Sequence, residues 1–89
     1  MAVFTVEVGT TPTRILVANP QRKVYSIHNF GSVDVYIGYD NKVSTTGFHK
    51  GVKIAANGGG AEDEWHKGEV WAIAPSATEV TVVEVSEGE

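Results

Sequence analysis

The chain has 89 residues and no cysteine, and its 7 Lys plus Arg against 11 Asp plus Glu give a formal net charge of −4. This length allows a single domain over residues 1–89, and the lack of cysteine excludes disulfide bonds and cysteine-ligated metals. The acidic balance argues against a nucleic-acid partner, because phosphate binding needs clustered cations, and no apolar run reaches the roughly 20 residues of a membrane helix.

Two short strands are predicted in the N-terminal part of the chain. Residues 3–8 alternate apolar and polar side chains, which is the period-two pattern of a half-buried strand. Residues 9–12 contain Gly and Pro and end this strand, and a second strand over 14–18 is closed by Asn19 and Pro20. The N-terminus lacks the basic and apolar regions of a signal peptide, so we expect a protein made in the cytoplasm.

Residues 24–39 (VYSIHNFGSVDVYIGY) predict a β-hairpin. Both 24–28 and 33–39 alternate apolar and polar residues, and both are rich in strand-forming side chains. Between them, residues 29–32 include an Asn and a Gly, which tolerate left-handed backbone, so we expect the chain to reverse there.

The remaining strands are short and closely spaced. We predict strands at 52–55, at 61–65 as an acidic edge strand, at 69–74 and at 78–85. No segment has the apolar stripe of a helix. The expected fold class is therefore all-β, a small antiparallel and jelly-roll-like β-sandwich of seven or eight strands.

The loop over residues 40–51 is long, polar and without periodicity. Such loops are uncommon in small domains unless they have a function, so we expect this one to contact a partner or a second subunit. Phe48 is the apolar side chain that would anchor such a contact, because an aromatic ring in a polar loop is a plausible binding hot spot.

The last strand has valines in both of its alternating phases, so both of its faces are apolar. Either a second layer of the same domain or another subunit must cover the outer face. Because small domains without disulfides gain stability by burying surface against copies of themselves, we expect a homo-oligomer. The candidate interface residues are two loop aromatics and four valines: Phe48, Trp65, Val80, Val82, Val83 and Val85.

No segment carries a recognised catalytic or cofactor motif. The Gly-rich residues 57–60 lack the Lys-Ser/Thr ending and the following helix of a phosphate-binding loop, so they predict a flexible turn. No serine lies in a nucleophile-elbow motif. We therefore expect a non-enzymatic protein with no catalytic residues and no cofactor.

Two binding alternatives rest on exposed side chains. The His and carboxylate side chains of His49, residues 62–64 and His66 have no recognised ligand spacing, so we expect loop charges and no bound metal. Trp65, at the end of the predicted edge strand, and Phe48, in the predicted loop, lie outside strand interiors, where aromatic side chains can form a carbohydrate-binding platform. The second function class is thus a small carbohydrate-binding module.

Four motifs between residues 24 and 85 resemble small β-sandwich structural proteins of tailed bacteriophages. Residues 29–38 (NFGSVDVYIG) match the hairpin of these proteins, and 43–48 (VSTTGF) match the loop after it. Residues 68–74 (GEVWAIA) and the valine-rich segment 79–85 match two later strands. This chain departs from these proteins in the Gly-rich and acidic stretch 57–64. At this place they have a shorter and more apolar segment that leads into a strand.

The resemblance implies a virion protein, with capsid decoration as the expected role and a tail- or fibre-associated role as the alternative. A decoration (cement) protein would bind the major capsid protein or another virion protein. It would stabilise the shell because it adds buried interface across neighbouring capsomers. The resemblance also implies that the homo-oligomer is a trimer and that the protein is located in the virion.

Overall fold

Two antiparallel four-stranded sheets pack face to face in the computed structural model, which describes residues 1–88. Each strand alternates its side chains between the two faces of its sheet, so one row from every strand points toward the other sheet. The strands are β1 (Ala2–Val8), β2 (Thr13–Leu16), β3 (Arg22–Asn29), β4 (Val35–Gly38), β5 (Val52–Ile54), β6 (Gly59–Asp63), β7 (Val70–Ile73) and β8 (Thr78–Ser86).

The strand order is that of a jelly roll. One sheet has the order β1-β8-β3-β6 and the other β2-β7-β4-β5, so the pairs β1–β8, β2–β7, β3–β6 and β4–β5 are nested. The predicted fold class, an antiparallel β-sandwich of seven or eight short strands, is confirmed with eight. We call these the β1 sheet and the β2 sheet.

The core lies between the sheets and consists of the inward-facing row of each strand. Its centre is fully buried, with Ile27, Val35, Val70, Ala72 and Val82 at 0% exposure. Burial of a Val or Ile side chain contributes about 1.5–3 kcal/mol, so these rows supply most of the driving force for folding.

The predicted hairpin over residues 24–39 is wrong, although both of its strands exist. β3 lies in the β1 sheet and β4 in the β2 sheet, so the connection 30–34 crosses between the sheets. The reason is Asn29, which does not form a left-handed turn but buries its side chain completely. Its amide donates to the carbonyls of Val33 at 2.9 Å and Ile54 at 3.0 Å and thereby joins the two sheets.

The Gly-rich segment 57–60 is partly strand and not only a flexible turn. Asn57 and Gly58 adopt left-handed backbone, with φ of 62° and 111°, and reverse the chain. Gly59 then opens β6, the edge strand of the β1 sheet, which agrees with the predicted acidic edge. A side chain at Gly59 would collide with the carbonyl oxygen of Ala55, so the close approach of two backbones requires glycine here.

Arg22 is buried to 1% exposure at the opposite end of β3 from Asn29. Its Nε donates to Glu84 Oε2 at 2.8 Å, and its Nη2 donates to the Val17 carbonyl at 2.6 Å. Its Nη1 donates to the carbonyls of His66 and Gly68, each at 3.0 Å. One guanidinium therefore holds β8 and the connections 17–21 and 64–69 together.

This contact also ends β2 early. The strand stops at Leu16 and not at residue 18 as predicted, because the Val17 carbonyl turns away from the sheet toward Arg22. We call this side of the sandwich, with the connections 17–21, 39–51 and 64–69, the Arg22 end.

We expect Arg22→Met to lower the free energy of unfolding by about 3 kcal/mol, because Glu84 and three carbonyl groups lose a buried donor. Arg14→Met is the matched control. Arg14 also donates to a glutamate, Glu69, at 2.9 Å, but these side chains are 49% and 40% exposed. An exposed pair contributes at most about 1 kcal/mol. Denaturant unfolding measures both losses, and equal losses would contradict the role given to Arg22.

Candidate interaction surfaces

The connection 39–51 is held in one shape by its own hydrogen bonds. The Ser44 N–H donates to the His49 carbonyl at 2.9 Å, and the Gly51 N–H donates to the Ser44 carbonyl at 2.9 Å. Gly47, at φ 81°, makes the tight turn between them. Val43 is only 5% exposed and fixes the loop to the sandwich, so the tip of the loop is displayed on a rigid base.

Phe48 lies at that tip and is 97% exposed. Its ring has the edge-on ring of His49 as a neighbour, with the ring centroids 5.0 Å apart. Phe48 is therefore not part of the hydrophobic core. An aromatic side chain with nearly all of its surface in water, on a loop whose backbone is already hydrogen-bonded, has the geometry of a binding anchor, because binding does not have to order the loop.

Trp65 is displayed at the same Arg22 end and is 88% exposed. Its backbone N–H and that of His66 donate to Asp63 Oδ1 at 2.6 and 2.8 Å. The Tyr39 hydroxyl donates to Asp63 Oδ2 at 3.3 Å, and the Tyr39 ring stacks on His66 with centroids 3.5 Å apart. These contacts fix the loop that carries Trp65 to the root of the loop that carries Phe48.

Charge and burial reinforce this cluster. The backbone N–H groups of His66 and Trp65 stabilise the Asp63 carboxylate and hold its pKa below the usual value. Burial raises the pKa of the Tyr25 hydroxyl well above the usual value, and its hydrogen bond with Tyr39 raises it further. Asp63 therefore stays an acceptor, and Tyr25 a donor, at neutral pH.

An open cavity of about 290 Å³ lies beside the Phe48 loop. Its lining includes the apolar residues Ile37, Val43 and Val52 and the charged residues Asp40 and Lys50. Apolar cavities with a few polar rim groups are the usual shape of small-molecule and side-chain binding sites.

A second apolar surface lies on the outer face of the β1 sheet. Val83 and Val85 face outward there and are partly exposed, and antiparallel pairing places Val3 beside Val83 and Val24 beside Val85. Val3 is 62% exposed. We call these four residues the valine face.

The structure corrects the assignment of two β8 valines to an interface. Val80 and Val82 point inward and are 1% and 0% exposed in the core of the same chain. The opposite sheet covers them, so a subunit contact there would require the sandwich to open. Of the four valines, Val83 and Val85 remain as candidate interface residues.

Sequence reasoning missed the contact of Tyr39 with Asp63 and His66, as well as the role of Arg22. No spacing indicates the contact between Tyr39 and Asp63, because it joins residues on separate loops. Nothing in the sequence marks Arg22 as a buried residue, because it lies next to Lys23 in a polar stretch. The exposed start of β1 does have a sequence signal, since Met1, Val3 and Phe4 are large apolar residues at one chain terminus.

No family model, curated protein or solved structure matches this chain. Within residues 1–88, no helix is long and apolar enough to cross a membrane. Over the same residues, no three His, Cys, Asp or Glu side chains are grouped so that they could hold a metal ion.

We expect the thermal stability to fall as the pH falls from about 5 to about 3, and Asp63→Asn to flatten this dependence. The folded state lowers the pKa of Asp63, so its contribution is present above the usual value of about 3.9 and lost below it. Melting temperature measured against pH tests this. Glu62→Gln removes an exposed carboxylate from the same strand, and an equal flattening by Glu62→Gln would contradict the assignment.

We expect Val83→Glu to give a folded but smaller species than the wild type, because a charge on the valine face opposes subunit contact. Circular dichroism measures folding and sedimentation measures size. Val52→Glu, at a 67% exposed position of the other sheet, is the matched control and should leave the size unchanged. A wild type that sediments as a 9.5 kDa monomer at high micromolar concentration would contradict the interface.

Proposed function

We propose that this chain is a non-enzymatic structural subunit of a bacteriophage virion, acting as a capsid decoration protein. In this role it binds a virion protein through the Arg22 end and contacts copies of itself through the valine face. The observation that carries the proposal is Phe48, which is 97% exposed on a loop held rigid by hydrogen bonds. Such a residue does nothing for the stability of the isolated chain, so we assign it to a partner.

The positions of the two exposed loop aromatics and of the valine face support a role in bridging the shell and a neighbouring copy. Phe48 and Trp65 lie on connections at one end of the sandwich, whereas the valine face lies on the outer side of one sheet. A subunit with apolar surface in two directions can contact a shell and a neighbouring copy at once. Each added contact stabilises the shell by mass action.

The fold and the sequence resemblance support the same role. Jelly rolls occur in viral capsid subunits, and they occur in lectins as well, so the fold by itself permits more than one function. The phage-like motifs at residues 29–38, 43–48, 68–74 and 79–85 favour the virion, with a tail- or fibre-associated position as the alternative. The trimer stays a prediction from the resemblance.

Carbohydrate binding is the second candidate, because Phe48 and Trp65 lie at the same end of a fold shared with lectins. Aromatic rings stack on the apolar faces of sugar rings. A glycan array separates the two functions. Saturable binding to a sugar favours the carbohydrate-binding module if the Trp65→Ala variant loses that binding. Binding to virus particles without any sugar ligand favours the structural role.

We expect Phe48→Ala to reduce binding to virus particles by about tenfold or more, because it removes the anchor ring. The assay adds purified protein to particles of the encoding virus that lack this chain, and co-sedimentation measures the bound fraction. Phe30→Ala is the matched control, since Phe30 is 71% exposed at the other end of the sandwich. Equal losses in both variants would contradict the assignment of Phe48, and no binding by the wild type would overturn the virion role.

A further inference from the structure

β1 is an edge strand with unusual exposure. It hydrogen-bonds to β8 along all seven of its residues without a register shift, and its other edge has no partner strand in residues 1–88. Residues 2–5 are exposed throughout. A strand of regular register with an unpaired edge of N–H and C=O groups is a template for pairing with another strand.

The other three edge strands carry features that hinder such pairing. β6 has Glu62 and Asp63, which oppose an incoming strand by charge. β2 has a register irregularity between Arg14 and Leu16, and β5 has only three residues, one of them Lys53. Bulges, short length and charges are the usual protections of an edge, and β1 has only one charged residue, Glu7.

β1 also exposes apolar side chains on both faces. Val3 points outward and is 62% exposed, while Phe4 has the inward phase of Val6 and Val8 but is still 36% exposed. Met1 beside them is 72% exposed. The start of the strand therefore presents an apolar edge and two apolar faces at the same place.

We infer that two copies of this chain join by antiparallel pairing of β1 with β1, about a twofold axis at Thr5. This register is the one that pairs all seven residues of the strand, because Thr5 is its central residue. It places Phe4 opposite Val6, an aromatic and β-branched pair, and Thr5 opposite Thr5, both of which are favourable across strands. Glu7 lies opposite Val3, so the carboxylates of the two copies stay apart.

The pairing joins two β1 sheets into one eight-stranded sheet and places Val3, which lies beside Val83 in its own copy, next to the Glu7 of the other copy. It rests on the self-association in the proposed function and specifies the geometry of that contact. A twofold contact is isologous and closes as a dimer. A trimer would therefore need a separate contact.

A single cysteine tests the register, because the chain has no other. Thr5→Cys places the cysteines of the two copies opposite each other. Cα atoms of opposite residues are about 4.5–5.5 Å apart, a distance at which a disulfide can form. Val3→Cys is the matched control, because the register separates the two cysteines by about 13 Å along the strands. Under mild oxidation we expect at least about tenfold more cross-linked dimer for Thr5→Cys on a non-reducing gel.

The outcomes separate this inference from the proposed function. If the wild type sediments as an oligomer but the two variants Thr5→Cys and Val3→Cys cross-link to the same extent, or neither cross-links, the β1 pairing is overturned and self-association stands. A wild-type monomer overturns both the pairing and self-association, while binding to virus particles still tests the virion role. In a second measurement, Val3→Lys should weaken dimerisation by about tenfold or more, whereas Val52→Lys, at a 67% exposed position on β5, should not.

Discussion

The buried guanidinium of Arg22 is the interaction on which the Arg22 end depends. It contacts Glu84 on β8 and the carbonyls of Val17, His66 and Gly68, which lie on two different connections. Burying a charge costs several kcal/mol unless it is paired and fully hydrogen-bonded, so this site tolerates little rearrangement. Asn29 performs a similar task at the other end of β3, where its amide joins the two sheets. Both ends of one central strand thus fix how the loops cross the sandwich.

This fixed frame explains why large apolar side chains can stay in water without loosening the fold. The base of the Phe48 loop is held by Val43 and by backbone hydrogen bonds, and the root of the Trp65 loop by Asp63. The order of both loops thus comes from contacts that do not involve the exposed rings. Removing either ring should therefore leave the sandwich folded, which separates binding from stability in this molecule.

The valine face and the β1 edge belong to one continuous region of the β1 sheet. Val3 joins them, since it lies on the edge strand and beside Val83 on the next strand. The protected edges at β2, β5 and β6 leave this region as the place where another strand can add at low cost. The Phe48 and Trp65 loops are connections at the Arg22 end, whereas the valine face lies on the outer side of the β1 sheet.

The sequence by itself determined the fold class, because alternation along residues 4–8, 33–39 and 70–74 is a local property that any half-buried strand must have. It also indicated Phe48 as the anchor of a loop contact, since an aromatic ring in a polar loop is a candidate binding hot spot. Only the tertiary structure decided which strands pair: residues 24–39 look like a hairpin, but buried Asn29 sends the chain across to the other sheet. It also decided that Val82 is core and Val83 surface, and that Arg22 is buried. These outcomes depend on register and on contacts between residues far apart in the chain, which a local pattern does not encode.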